Sequence, residues 1–261
     1  DSSYDKFGYT FQRARFDDWL RDRAEDAGAE YRAGGSVRGV ETDPSVSPAS
    51  DDPRHTVELA SGEAIGADFV VLADGPQRTV TNKVLDEYLP ADAAASDRLA
   101  SRTANHIAYQ EYRRVPEDVY EAVNDALVVW WGVMPGETAY PWIFPKDDRV
   151  CRIGLTMPIG LDIDDFDRDA YALLDADDES IPQGGEYIRR LLEWQYGDEY
   201  DIEEDFPIVE TAGKRDGTET YPISSTRPID SPTEVGIAVV GGAMGTTSAF
   251  HEGGDHVAVR T

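Results

Sequence analysis

The sequence predicts an α/β chain, α+β overall, in which a strand-and-helix unit is split in sequence around an antiparallel sheet. Three stretches carry that prediction. Residues 235–240 are an apolar run, followed by Gly241, Gly242 and Gly245 and then by Thr246, Thr247 and Ser248, the pattern of a buried strand, a glycine turn and the start of a helix. Residues 67–73 (ADFVVLA) are a second apolar run, which stops at Asp74-Gly75-Pro76. Between the two, residues 107–115, 126–133, 139–144 and 150–157 are rich in aromatic and β-branched side chains, which predicts the antiparallel sheet. The resulting boundaries are 1–103 and 226–261 for the split unit and 104–225 for the sheet unit.

Taken in order, the chain first offers a helix from Arg13, with Phe16, Trp19, Leu20, Ala24 and Ala27 on one face and Gly28 as its C-cap. Residues 36–41 and 55–59 read as a hairpin whose Pro-, Ser- and Asp-rich connection, 42–54, is a polar surface insertion. A turn at Ser61-Gly62 leads to the apolar strand 67–73, and a polar helical stretch covers 79–99. After the sheet, helices are expected over 165–175 and 185–196, the second carrying Tyr187, Ile188, Leu191, Leu192 and Trp194. Residues 206–212 and 221–223 return the chain to its closing strand.

Composition narrows the function classes. Asp plus Glu number 52 against 24 Lys plus Arg, a formal charge of -28 with a pI near 4.3, and the only lysines are Lys6, Lys83, Lys146 and Lys214. The acid excess runs along the whole chain, which suits a protein of a high-salt cytoplasm, where self-repulsion is screened. With no basic stripe to neutralise phosphates, nucleic acid is excluded as a partner. No D-x-D-x-D-G loop with a closing Glu supports calcium. Cys151 is the single cysteine, so no intrachain disulfide is possible, and its apolar setting predicts a buried thiol in a reducing interior. No apolar stretch approaches the ~20 residues of a membrane span. The sequence shows no signal peptide, does not begin with Met and stops inside a predicted helix, which leads us to expect a piece of a longer cytoplasmic protein.

Few residue patterns support chemistry of their own. His251 and His256 are five apart with two glycines between them, whereas two zinc ligands on one helix face need a spacing of four; no metal site is expected. There is no G-x-S-x-G nucleophile turn, and acid pairs such as Asp164-Asp165 and Glu203-Glu204 read as solvated faces. The glycine turn after residue 240 suits either a plain turn or a phosphate or flat cofactor, because glycine admits close backbone approach. Tyr140, Trp142 and Phe144 share one strand face and end at Pro145-Lys146; they are read either as sheet core or as the wall of an apolar slot.

Four segments together resemble the geranylgeranyl reductase family of FAD-dependent flavoproteins, in its haloarchaeal form: Arg13-x-x-Phe16-Asp17-x-x-Leu20, Ala73-Asp74-Gly75, Tyr140-x-Trp142-x-Phe144-Pro145-Lys146, and the closing strand, glycine turn and helix. The first two are shared with the wider group containing aromatic hydroxylases and flavin halogenases; the Phe-Pro-Lys stretch is the specific one. The resemblance implies a partial FAD-binding Rossmann-like domain, split in sequence, and an antiparallel-sheet substrate domain. It implies an FAD enzyme that saturates carbon-carbon double bonds of isoprenoid chains, in archaea those of membrane lipids, with peripheral membrane contact and with reduced nicotinamide or ferredoxin as electron donor. Arg13, Asp74 and Gly75 would lie along the adenosine and pyrophosphate of FAD. Gly241, Gly242, Ala243 and Gly245 would cover its ribityl-flavin end, with Gly254 in the following helix. Tyr140, Trp142 and Phe144 would line the substrate slot beside the flavin.

Two departures from the family stand out. Its Gly-x-Gly-x-x-Gly segment is absent, and Gly242 replaces an Asp that accepts hydrogen bonds from the ribityl chain. Losing one charge-assisted hydrogen bond costs roughly 1.5–3 kcal/mol, or about ten- to hundredfold in affinity, so Gly242→Asp is expected to tighten FAD binding. The other readings are a flavin monooxygenase or quinone-feeding dehydrogenase of the same fold, and a non-catalytic flavoprotein or isoprenoid-binding module.

Overall fold

The computed structural model describes residues 12–47, 50–88, 105–223, 231–245 and 247. Its largest sheet has five antiparallel strands: β5 (His106–Arg114), β6 (Val128–Val129), β7 (Tyr140–Pro145), β8 (Val150–Pro158) and β9 (Thr218–Ile223), in the order β6-β7-β8-β5-β9. Register decides which side chains meet. Trp142, Gly154, Gln110 and Glu219 form one row across the sheet, and Phe144, Arg152 and Tyr112 form the next. The alternate positions point the other way, so Ile143, Cys151, Ile153 and Leu155 pack against Tyr187, Ile188, Leu191 and Leu192 of helix α4 (Gly184–Tyr196). Those four helical residues, at i, i+1, i+4 and i+5, form the single apolar stripe expected of a helix lying on a sheet. Helix and strand approach closely at Gly184, where a Cβ would stand 2.5 Å from the Tyr109 ring.

A second, separate core lies under the parallel pair β4 (Val70–Leu72) and β10 (Ile237–Val239), in register Ile237 to Val70 and Val239 to Leu72. Val70, Leu72, Ile237 and Val239 bury one face with Val84 and Leu85 of α2 (Thr81–Tyr88), and Val40 joins them from β1 (Val37–Thr42). β1, β2 (His55–Leu59) and β3 (Ala64–Ala67) form an antiparallel meander. Thr42 faces His55, so the polar insertion is the hairpin connection the sequence predicts. The two strands at the ends of the chain's long excursion therefore lie side by side, and the antiparallel sheet is inserted between them in sequence.

Several predictions of local structure are corrected. Residues 165–175 are not a helix but two short 3-10 turns, Ile163–Asp165 and Arg168–Ala170, because Asp162 and Asp167 each accept a hydrogen bond from the backbone N–H two residues on. Short acid side chains compete with the helix in this way. The strand expected over 126–133 is only Val128–Val129, since Gly132 at φ 75 turns the chain away. The apolar run 67–73 is not one strand: Ala67 ends β3, a separate antiparallel strand, and only Val70–Leu72 form β4. Residues 206–212 contribute an isolated bridge from Ile208 to Arg113. A helix that the sequence did not predict, α3 (Glu117–Val123), follows Pro116 with Glu117 and Asp118 in its first turn, a favourable arrangement for the helix dipole; α5 (Ile202–Asp205) is a single turn capped by Asp201. Helix α1 (Arg13–Asp26) forms as expected but buries none of its residues; Phe16, Trp19 and Leu20 are exposed. The predicted helix after Gly245, with Gly254, His251 and His256, and residues 89–99 lie outside the described residues. No helix among the described residues is long and apolar enough to cross a membrane.

Candidate functional site

Parallel pairing places the C-terminal ends of β4 and β10 at one edge, where ligands of open α/β sheets bind. Each strand runs into a glycine turn there: Gly75 at φ 73 and Gly241 at φ 60, both in the left-handed region that favours glycine. The turns touch. A Cβ on Gly242 would stand 3.1 Å from Pro76 Cδ and 3.3 Å from Pro76 N, whereas one on Gly75 would meet nothing within 4 Å among the described residues. The missing side chain of Gly242 thus admits the neighbouring turn, and that of Gly75 leaves its outer surface bare. Ala243 and Gly245 are buried behind the turn.

A residue that the sequence reading did not select holds these turns together. Arg78 is fully buried and has a left-handed backbone, φ 49. It donates from Nε to the Ala243 carbonyl at 3.0 Å, from Nη2 to Gly242 at 3.1 Å and from Nη1 to Pro76 at 3.1 Å. Burial pulls its pKa down, against the attraction of Asp74. The only signal available in the sequence was an arginine four residues beyond Asp74, which is not distinctive. Asp74 is engaged locally: its carboxylate accepts from Val80 N at 2.8 Å, Thr81 N at 3.1 Å and the Thr81 hydroxyl, which caps the start of α2.

The aromatic stripe lies on the sheet face opposite α4. Trp131 meets Tyr140 at 4.3 Å between ring centroids, and Trp142 stacks on Phe144 at 5.3 Å and 12°. Tyr140, Trp142 and Phe144 form with Ala108, Tyr221 and Ile223 an apolar cluster distinct from the main core. Tyr140 and Trp142 are buried there, and Trp142 Nε1 is buried with no hydrogen-bond partner among the described residues. Gly154 makes room for the indole, since a Cβ at that position would stand 2.6 Å from it.

Next to the stripe the same face turns polar. Glu219 Oε2 accepts from Gln110 Nε2 at 2.6 Å, from the Tyr112 hydroxyl at 3.3 Å and from the Tyr221 hydroxyl. Burial, followed by the Glu219 carboxylate, raises the pKa of both phenols, so they remain protonated donors. Over this polar end opens a cleft of about 1200 Å³, walled by the sheet and by Gln12 with the first turns of α1, as far as Trp19. Arg13 lines this cleft, ion-paired to Asp17 at 2.6 Å, and the glycine turns do not. The structure thus groups the predicted site residues into the glycine turns, the buried aromatic stripe and a cleft beside it.

No protein-family model matches the chain, and no curated protein does. Solved structures do. A geranylgeranyl bacteriochlorophyll reductase-like protein from Thermoplasma acidophilum matches with a TM-score of 0.60 at 18% identity, over 98% of this chain and 54% of its own. This chain has a flavoprotein fold. A flavoprotein/dehydrogenase from Cytophaga hutchinsonii (TM-score 0.55, 14% identity, 98% and 54% covered) and a flavin-dependent brominase (0.56, 16%, 97% and 54%) share it. The chain spans about half the length of the structures it matches.

Proposed function

We propose that the chain is part of an FAD-dependent oxidoreductase of the geranylgeranyl reductase kind, which saturates isolated double bonds of isoprenoid chains. The observation that carries this reading is the pair of glycine turns held edge to edge by Arg78 at the C-terminal ends of two adjacent parallel strands. Gly75, with its open outer surface, suits a flat or phosphate-bearing group lying against bare backbone. Asp74 fits less well as a direct ligand, because both its oxygens are already hydrogen-bonded, and its role is to shape the turn. Gly241, Gly242, Ala243 and Gly245 would hold the other side of the cofactor, and Arg13 its charged part. Bound FAD would supply the hydride. The contribution of the chain's own residues is to position the cofactor and to exclude water, with Tyr140, Trp142 and Phe144 offering an apolar wall to a substrate made of methyl groups and double bonds.

The associated proposals follow the same reading: a flavin-binding unit formed by 1–103 and 226–261, a substrate unit formed by 104–225, a high-salt cytoplasm, membrane contact at the surface only, and reduced nicotinamide or ferredoxin as donor. The test uses the complete gene product in molar KCl, reduced with dithionite under anaerobic conditions and mixed with an unsaturated isoprenoid lipid. Flavin reoxidation together with a lipid that gains two hydrogens per double bond is the expected result. A flavin that the lipid leaves reduced and that reoxidises only when oxygen is then admitted, with hydroxylation of an added aromatic substrate, would replace this reading with the monooxygenase one.

A further inference from the structure

We infer that the outer edge of β6 is a self-association surface, where a second copy of this chain pairs edge to edge about a two-fold axis through Val129. The inference goes beyond the flavin reading and does not depend on it. β6 is the end strand of the five-stranded sheet, and no strand lies on its outer side among the described residues. Leu127, Val129 and Trp131 stand there 54%, 38% and 44% exposed. Val129 lies opposite Trp142, so this apolar ridge carries the aromatic stripe out to the rim of the sheet.

The backbone is set for such pairing. Val128 lies opposite Ile143, and Trp130 donates its N–H to the Pro141 carbonyl at 3.1 Å, so the even-numbered positions turn their backbone groups toward β7. Alternation turns those of Leu127 and Val129 outward, the arrangement by which a sheet edge recruits another strand. Antiparallel pairing centred on Val129 sets Val129 against its own copy and Leu127 against Trp131, all on one face. Such a contact is isologous and closes at two copies. It also joins the two aromatic stripes into one continuous face. The opposite edge strand, β9, carries Glu219 and Pro222, residues of the kind that keep an edge single.

Charge selects the occupant. Residues 126–136 bear no charged side chain, in a chain that is 29% charged with a formal charge of -28. A copy of the same chain therefore meets the least self-repulsion at this edge. A lipid surface is the rival apolar partner, but segments that lie in a membrane interface set Lys and Arg beside their apolar residues. None occurs between Arg114 and Lys146, where the charges are Glu117, Asp118, Glu121, Asp125 and Glu137.

The test is sedimentation equilibrium of the complete gene product, first in molar KCl and then in about 0.1 M, for the wild type and for V129E. Val129 is exposed, so V129E should keep its native circular dichroism. We expect twice the chain mass in molar KCl, association that weakens as salt is withdrawn, and association about tenfold or more weaker in V129E. A second variant keeps the inference testable should V129E fail to fold. In V129C the two cysteines would face each other across the axis, with Cα atoms ~5.5 Å apart and within disulfide reach, while Cys151 is buried. Under mild oxidation V129C should form a covalent dimer faster than K83C, whose cysteine lies on the other unit. A monomer at every salt and protein concentration, a dimer indifferent to V129E, or crosslinking of V129C no faster than of K83C would overturn the inference. So would a monomer that binds phosphatidylcholine vesicles and loses them in V129E, which would make the ridge a lipid contact. A complete gene product without flavin would leave it standing, since neither measurement requires flavin.

Discussion

Arg78 combines full burial with a left-handed backbone, and its guanidinium is matched to three carbonyls on two turns that lie far apart in sequence. Replacing it by Met keeps the bulk and strands those acceptors, each of which costs about 1–3 kcal/mol when buried unpaired. Arg78→Met should therefore lower unfolding free energy by about 3 kcal/mol, read from chemical denaturation; a loss under about 0.5 kcal/mol, the range of an ordinary surface change, would contradict the clamp. Gly242→Asp separates two effects that the sequence alone could not separate. Its Cβ would press on Pro76 at 3.1 Å, so overpacking should cost about 1 kcal/mol or more of stability, while the added carboxylate tightens FAD binding in the complete gene product. Lower thermal stability with weaker FAD binding would place the cofactor elsewhere. The glycines at 75, 241 and 242 were legible because turn chemistry is local. Arg78 was not, because two of its three partners are more than 160 positions away. The knot around Glu219 was hidden for the same reason, as strand register and not spacing brings Gln110, Tyr112 and Tyr221 to it.

At the scale of elements, the same amphipathic pattern gives two outcomes. Helix α4 lays Leu191 and Leu192 fully buried on the sheet, and α1 leaves Trp19 52% exposed. Leu191→Ala should cost about 2–5 kcal/mol by the loss of burial and the cavity left behind. Trp19→Ala should stay within about 0.5 kcal/mol of wild type. Equal losses in the two, measured by denaturant midpoint, would mean that α1 is packed in solution as α4 is. Periodicity identified both helices, but it reports which face is apolar and not what covers it. It also mistook 165–175 for a helix, where Asp162 and Asp167 turn the backbone onto their own side chains. Alternation located β7 and β8 well, because their residues are bound by neighbours on both sides. The short β6 edge had less to fix it.

For the whole molecule, a charge of -28 makes compaction work against self-repulsion, which salt screens. The melting temperature should rise steadily from 0.1 M to molar KCl, about a tenfold span that takes the screening length from ~10 Å to ~3 Å; a flat response would show that the charge is structurally neutral. Acid should act in two windows. Burial holds the folded pKa of His55 and His106 below 6.5, so the unfolded chain binds more protons and stability falls as pH drops below that value. Glu186, held down to about 2 from 4.5 chiefly by its hydrogen bond to Arg189, contributes stability that is complete above 4.5 and lost as pH falls through 2. The order of segments and the split unit were readable in the sequence from its two apolar runs ending in glycine. The cleft was not, because it forms between α1, which ends at Asp26, and a sheet that begins only at His106. The central claim is that the paired glycine turns hold a flavin. It is tested most directly by the visible absorption spectrum of the complete gene product purified in molar KCl. A flavin spectrum that is bleached by dithionite and weakened by Arg78→Met is the predicted result, and a colourless protein that takes up no added FAD would contradict it.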